Sequence, residues 1–114
     1  MAEAPGQPTI STHVLDTERG QPAEGVRVTL YRLDVADAPI RMTQALTDAD
    51  GRVRDLVGRP LVAGEYRLEF EVGSADEASF FRRLTVDLAI DDAARSYHVP
   101  LLLAPFSMTT YRGS

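Results

Sequence analysis

The two histidines of the chain, His13 and His98, are the first candidates for chemistry, because each lies in an apolar segment with the alternation of a β-strand. Histidine is the only side chain whose unperturbed pKa, about 6.5, suits proton transfer at neutral pH. A single histidine in a strand is nevertheless more often a structural residue than a catalyst. Taken one at a time, the two residues therefore indicate acid–base chemistry only weakly.

Two arginines add a second kind of chemistry. Arg52 follows the turn Thr47–Gly51 at the start of a predicted strand, and Arg112 lies near the C-terminus. An arginine next to a turn is usually a solvated surface residue. Its planar guanidinium can also bind a carboxylate, a urea group or a developing oxyanion. Both arginines are thus candidates for stabilising negative charge.

The C-terminal residues Tyr111-Arg112-Gly113-Ser114 combine a phenol, a guanidinium, a flexible backbone and a hydroxyl with the terminal carboxylate. Chain ends usually fray, and a frayed end is the simplest interpretation. Ser114 lacks the Gly-x-Ser-x-Gly pattern of a nucleophile elbow, so it is a poor candidate for a covalent nucleophile. Its carboxylate, with an ordinary pKa of about 3.5, could orient an imidazolium. We expect an ordered tail with this carboxylate inside the site.

The composition supports few other chemistries. The chain has no cysteine, which excludes thiol chemistry and disulfides. Two histidines fall short of the three protein ligands of a typical catalytic zinc site. Asp48, Asp50 and Asp55 lack the spacing of a calcium loop, and no glycine-rich phosphate loop precedes a helix. We therefore expect chemistry without a metal or another cofactor.

The length and charge of the chain limit its class and its partners. With 114 residues and 44% hydrophobic residues, it fits one domain with its own core. The net charge of −5 argues against a nucleic-acid partner. There is no run of about 18 apolar residues to span a membrane and no secretory signal pattern at the N-terminus. We predict a cytoplasmic protein that binds neither nucleic acid nor a membrane.

Apolar and polar residues alternate along most of the chain, as in the segment Glu65–Val72. Seven or eight short strands separated by turn residues indicate an antiparallel β-sandwich. We place these strands at 10–14, 25–33, 41–47, 52–55, 65–72, 83–90, 96–103 and 107–112. A capping box that begins at Ser74 predicts one short helix reaching about Phe81. Residues 1–8 are predicted to form a flexible arm before a single domain at 9–114.

The segment Tyr97–Leu103 differs from the other strands, because it is apolar on both faces. Such a strand is either enclosed between two layers or covered by another subunit. In a sandwich of two sheets, the chain itself has no third layer to cover the outer face. The segment therefore predicts self-association.

Seven segments form a recognisable series in chain order. They are Ser11–Asp16, Gly20–Ala23, Thr47–Arg52, Gly64–Arg67, Ser79–Phe81, Tyr97–Leu103 and Thr110–Ser114. The most specific part is the histidine-bearing apolar strand followed by the terminal Tyr-Arg-Gly-Ser. From Ile10 to Ser114 the chain resembles the 5-hydroxyisourate hydrolases, the enzyme branch of the transthyretin-like family. The resemblance implies an all-β, transthyretin-like antiparallel β-sandwich of seven to eight strands with one short helix.

The resemblance also implies an assembly and a set of site residues. The assembly is a homotetramer, a dimer of dimers, with a central channel in which facing subunits build each site. The catalytic positions of the family correspond to His13, Arg52, His98 and Ser114. The substrate-binding positions correspond to His13, Arg52, Tyr111, Arg112 and Gly113. No metal or other cofactor is implied.

The implied reaction opens the ring of 5-hydroxyisourate at a cyclic amide and gives 2-oxo-4-hydroxy-4-carboxy-5-ureidoimidazoline, a step of urate breakdown. A neutral histidine would take the proton of the attacking water. Arg52, or in second place Arg112, would stabilise the oxyanion. The other histidine would orient water or protonate the leaving nitrogen. Which histidine has which role stays open at this point.

The chain also departs from the family pattern, and two other functions compete with hydrolysis. The segment between Val72 and Phe80 is shorter than usual, and Arg82 stands where proline is common. A small-ligand carrier of the transthyretin type would share the sandwich, but transthyretin lacks the terminal tetrapeptide and the histidine at position 98. An accessory β-sandwich module without catalysis would be a monomer with an inert C-terminus.

Overall fold

The computed structural model describes residues 7–33, 38–73 and 80–113. The regular structure of these residues consists of nine strands. The strands are β1 (Ile10–Asp16), β2 (Gln21–Pro22), β3 (Arg27–Arg32), β4 (Ile40–Leu46), β5 (Arg52–Val53), β6 (Gly64–Glu71), β7 (Arg83–Ile90), β8 (Tyr97–Ala104) and β9 (Ser107–Thr110). Each of the eight predicted strands overlaps one of these. The ninth, β2, was not among the predicted strands, and it forms because its two residues pair with the end of β1.

The strands form two sheets. One has the order β2-β1-β8-β9, with β5 pairing next to β2 along the same edge of β1, and the other has the order β4-β3-β6-β7. The pairs are antiparallel except for β1 with β8, which is parallel. This arrangement confirms the predicted all-β, transthyretin-like sandwich. No helix occurs among the described residues, and the predicted helix and arm rest mainly on residues 74–79 and 1–6, which lie outside them.

The core lies between the two sheets and follows the alternation of the sequence. On β6 the side chains of Tyr66, Leu68 and Phe70 are fully buried, while the charged residues between them remain accessible. From the facing sheet, β1 and β8 contribute Val14 and Leu101, which are also fully buried. Burial of each large apolar side chain stabilises the fold by about 1.5–3 kcal/mol. The two sheets are thus held together by their inner faces.

Strand β8 is central in its sheet, with β1 on one side and β9 on the other. Tyr97, Val99 and Leu101 point into the core, whereas His98 and Leu102 on the outer face are only half-buried. The two-faced apolar pattern of this strand therefore leaves an incompletely covered outer surface in the single chain. Self-association through this surface stays a prediction.

Candidate active site

The parallel pairing of β1 and β8 creates the first contact of the candidate site. Ser11 and His98 are Cα partners in this register, so their side chains lie side by side on the outer face of the sheet. The Ser11 Oγ atom lies 2.8 Å from the Nδ1 atom of His98. His13 follows two residues after Ser11 and therefore shares its face. The strand pair thus aligns a hydroxyl and two imidazoles.

A tight turn brings Arg52 to the same region. The carboxylate of Asp48 accepts hydrogen bonds from the backbone N–H groups of Asp50 and Arg52, both at 2.9 Å. The hydrogen bond from the backbone N–H of Arg52 is the main reason that the pKa of Asp48 lies below its ordinary value. This carboxylate therefore stays ionised in the turn. Gly51 completes the turn at φ 77°, a conformation that favours glycine. Arg52 then pairs with His13 across β5 and β1.

A cleft of about 370 Å³ has a wall that includes Ser11, Arg52, Arg54, Ser96 and His98. His13 is not part of this wall, although it pairs with Arg52 and lies next to the cleft on β1. Burial lowers the pKa of His98, and the nearby charges of Arg52 and His13 lower it further. His98 is therefore neutral at neutral pH and able to accept a proton. Arg52 and His13 are therefore close enough to His98 to act on its protonation.

Gly113 holds His98 from the other side. Its backbone N–H donates a 2.7 Å hydrogen bond to the carbonyl oxygen of His98, and the two residues form an isolated antiparallel bridge. A Cβ atom at position 113 would lie 2.8 Å from the Cδ2 atom of the His98 ring, which is closer than real contacts allow. The glycine of the terminal tetrapeptide therefore permits a close approach that a larger residue would prevent.

The other residues of the terminal tetrapeptide that the structure describes, Tyr111 and Arg112, do not line the cleft at His98. The guanidinium carbon of Arg112 lies 5.1 Å from the centre of the Tyr97 ring, in cation–π range. Tyr111 and Arg112 border a second cleft of about 340 Å³, together with residues of β7. Tyr97 borders both clefts, whereas His98 borders the first and not the second. Ser114 lies outside the described residues.

Several residues of the first cleft are not among the site residues predicted from the sequence, and they include Ser11, Arg54 and Ser96. Ser11 could have been found from the sequence, because alternation places it on the same face of the strand as His13. Arg54 could have been found in the same way, since it follows Arg52 by two residues and so shares its face. Ser96 precedes β8 and offered no such signal. Its proximity to the cleft depends on the β1–β8 pairing, which also joins the Thr9 N–H to Ser96 Oγ at 3.0 Å.

The chemical capacity of the cleft follows from its groups. A neutral imidazole can accept the proton of an attacking water, and a guanidinium can stabilise the oxyanion that forms. Within the described residues, no group of three or more His, Cys, Asp or Glu side chains is placed to hold a metal ion. Nor does any helix of the described chain have the length and apolarity to cross a membrane. The arrangement favours hydrolysis of an activated carbonyl by a water molecule.

A transthyretin-like sandwich with a histidine–arginine cleft defines a class of protein in which carriers and hydrolases share one fold. A sequence model described as the HIUase/transthyretin family matches residues 10–113. The chain belongs to this family.

Three known proteins illustrate the relationship. The 5-hydroxyisourate hydrolase of Deinococcus radiodurans is 42% identical, with 96% of this chain and 98% of that protein covered. The solved structure of the Klebsiella pneumoniae 5-hydroxyisourate hydrolase has a TM-score of 0.82 and 39% identity, covering 94% of this chain and 99% of the other. Sea bream transthyretin in complex with thyroxine has a TM-score of 0.83 and 26% identity, covering 91% of this chain and 93% of the other. The fold is shared equally, whereas the sequence is closer to the hydrolases.

Proposed function

We propose that this chain hydrolyses the cyclic amide of 5-hydroxyisourate and gives 2-oxo-4-hydroxy-4-carboxy-5-ureidoimidazoline. The observation that carries the proposal is the cleft lined by His98 and Arg52, in which burial and the charges of Arg52 and His13 lower the pKa of His98. The identity of about 40% to proteins named 5-hydroxyisourate hydrolase, over nearly the whole chain, supports this substrate.

His98 is the general base in this proposal. Its Nδ1 atom lies 2.8 Å from Ser11 Oγ, and in the tautomer that donates Nδ1–H to this oxygen, Nε2 takes a proton from the attacking water. The water oxygen bonds to the ring carbonyl carbon, and Arg52 stabilises the negative charge that develops on the carbonyl oxygen. The C–N bond of the ring then breaks, the leaving nitrogen takes the proton from the imidazolium, and a carboxylic acid forms. His13 orients the water or assists protonation of the leaving nitrogen.

The proposal extends to the assembly and to the tail. The half-buried outer face of β8 supports a homotetramer, built as a dimer of dimers in which facing subunits complete each site. Gly113 supports the position of His98, while Tyr111, Arg112 and Ser114 contact substrate in that assembly. A chain without cysteine is compatible with the cytoplasmic location that we propose for it.

A carrier function of the transthyretin type is the competing proposal, because the sea bream transthyretin structure matches the fold equally well. A carrier has no need for a neutral histidine beside an arginine. Thyroxine is a suitable probe, since it is the ligand in that structure. Tight thyroxine binding without turnover of 5-hydroxyisourate would favour the carrier.

The decisive assay uses 5-hydroxyisourate prepared freshly with urate oxidase and follows its disappearance by absorbance. The spontaneous decay of the compound is measured in parallel and subtracted. We expect the protein to accelerate the decay at catalytic concentrations and the product spectrum to be that of the ureidoimidazoline. Decay at the spontaneous rate over a range of protein concentrations would refute the proposal.

A further inference from the structure

The Ser11–His98 hydrogen bond is the least explained contact of the cleft. It joins residues 87 positions apart, and the parallel register of β1 and β8 holds both backbones at this point. Both side chains are part-buried and border the cleft. The bond is therefore a fixed feature of the sheet rather than a chance contact between mobile surface groups.

The imidazole of His98 is restrained on two sides. Ser11 Oγ lies 2.8 Å from Nδ1, and the backbone of Gly113 lies so close to Cδ2 that no Cβ atom fits between them. A neutral imidazole has two tautomers, and the group bound to one ring nitrogen decides which nitrogen keeps its lone pair. A serine hydroxyl can either accept from Nδ1–H or donate to Nδ1, so the direction of this bond sets whether Nε2 carries a lone pair or a proton.

We propose that Ser11 is a positioning residue that accepts a hydrogen bond from the Nδ1–H of His98 and so keeps the lone pair on Nε2. This inference rests on the proposed function, because only a general base requires an unprotonated Nε2. Ser11 lines the cleft, so its own hydroxyl proton can be donated to water or substrate. The serine acts through the histidine and forms no bond to substrate carbon.

A serine hydrogen-bonded to a histidine is also the signature of an activated nucleophile. Ser11 lies within a regular strand rather than on a sharp strand-to-helix turn. The positioning role predicts that no acyl-enzyme forms. Mass spectrometry of the protein quenched during turnover therefore tests the difference, and a covalent adduct on Ser11 would overturn the proposal.

The kinetic test compares three variants in the full-length protein. Ser11→Ala removes the acceptor, Ser11→Thr retains a hydroxyl, and Thr17→Val is the matched control. The Thr17 hydroxyl donates to the carbonyl oxygen of Leu103 at 2.7 Å, so its loss also removes a side-chain bond between the β1 segment and β8. This control contacts neither histidine nor the cleft.

We expect Ser11→Ala to lower kcat by about 10- to 100-fold, as the loss of an orienting partner does for metal-binding histidines. KM should change by less than about threefold, because the serine acts on the base and not on substrate binding. Ser11→Thr should recover most of kcat, and Thr17→Val should remain within about twofold of the unchanged protein. A Ser11→Ala enzyme as active as Thr17→Val would contradict the proposal.

A second measurement does not depend on the substrate. Nitrogen-15 spectra of the imidazoles report the tautomer of each histidine, and a chain with two histidines is assigned with one His13→Gln variant. We expect His98 to carry its proton on Nδ1 and to become a mixture of tautomers in Ser11→Ala. A proton on Nε2 in the unchanged protein would overturn the inference. If the tautomer is as expected but turnover is absent, the direction of the Ser11–His98 hydrogen bond stands as inferred and the hydrolase assignment fails.

Discussion

At the scale of single residues, the site depends on how the ring of His98 is held. Burial and the charges of Arg52 and His13 keep it neutral, and Ser11 and Gly113 restrain it from two sides. The histidines and Arg52 could be selected from the sequence, because their side chains suit the chemistry. Ser11 could not be selected with the same ease, since a serine in a strand has many ordinary explanations.

Gly113→Ala should displace the imidazole of His98, because the new Cβ atom would lie 2.8 Å from Cδ2. We expect turnover to fall by about tenfold or more, while the melting temperature changes little, since Gly113 follows the last strand. Steady-state kinetics and thermal unfolding of the same sample check this. Full activity would show that the close approach has no functional role.

The pH dependence of kcat/KM should report the lowered pKa of His98. A general base works in its neutral form, so activity is present above its pKa and is lost as the pH falls through it. Because the folded-state pKa is depressed, the acid limb should lie below the ordinary value of about 6.5. Arg52→Gln removes one of the charges that depress the pKa of His98. The acid limb of the remaining activity should therefore move to higher pH. An acid limb above 6.5 in the unchanged protein would contradict this assignment.

At the scale of elements, the alternation of apolar and polar residues predicted the strands, most clearly on β6. There the alternate residues Tyr66, Leu68 and Phe70 are fully buried, as the sequence indicated. The parallel pairing of β1 with β8 was not predictable from this pattern, since alternation fixes faces but not partners. The contacts of Ser11 and of Ser96 depend on that pairing. Candidate residues could therefore be proposed from the sequence by their type, whereas the contacts that depend on this pairing could not.

The turn before β5 should be less tolerant of substitution than an open turn. Gly51 has φ 77°, and an added Cβ atom would collide with the backbone oxygen of Val14. Gly20 has φ 68° with nothing within 4 Å of an added Cβ, so it is the matched control. Gly20→Ala should lower the free energy of unfolding by about 1–2 kcal/mol, and Gly51→Ala by more. Urea unfolding measures both, and equal losses would show that the Val14 contact is unimportant.

At the scale of the whole molecule, two clefts formed by the described residues lie near the C-terminal tail. Gly113 lies at His98, whereas Tyr111 and Arg112 border the second cleft. A tetramer in which facing subunits complete each site would account for tail residues that are separated from His98 in one chain. The outer face of β8, with Leu102 half-buried, is the surface we expect it to use.

Leu102→Glu should therefore lower the molar mass measured by light scattering from that of a tetramer, because a charge would have to be buried in the contact. Leu46→Glu is the control, since Leu46 is 58% exposed on the other sheet. Circular dichroism should show a folded sandwich for both. A monomeric mass for the unchanged protein, or a tetramer for Leu102→Glu, would exclude this surface as the contact.

The central claim is that His98 is the base for the hydrolysis of 5-hydroxyisourate. The most direct measurement is the initial rate of 5-hydroxyisourate loss, corrected for spontaneous decay, with the unchanged protein and with folded His98→Ala. We predict clear acceleration by the unchanged protein and a kcat at least about 100-fold lower for the variant. A variant that retains near-normal turnover would contradict the role of His98, and an unchanged protein that does not accelerate the decay would contradict the hydrolase itself.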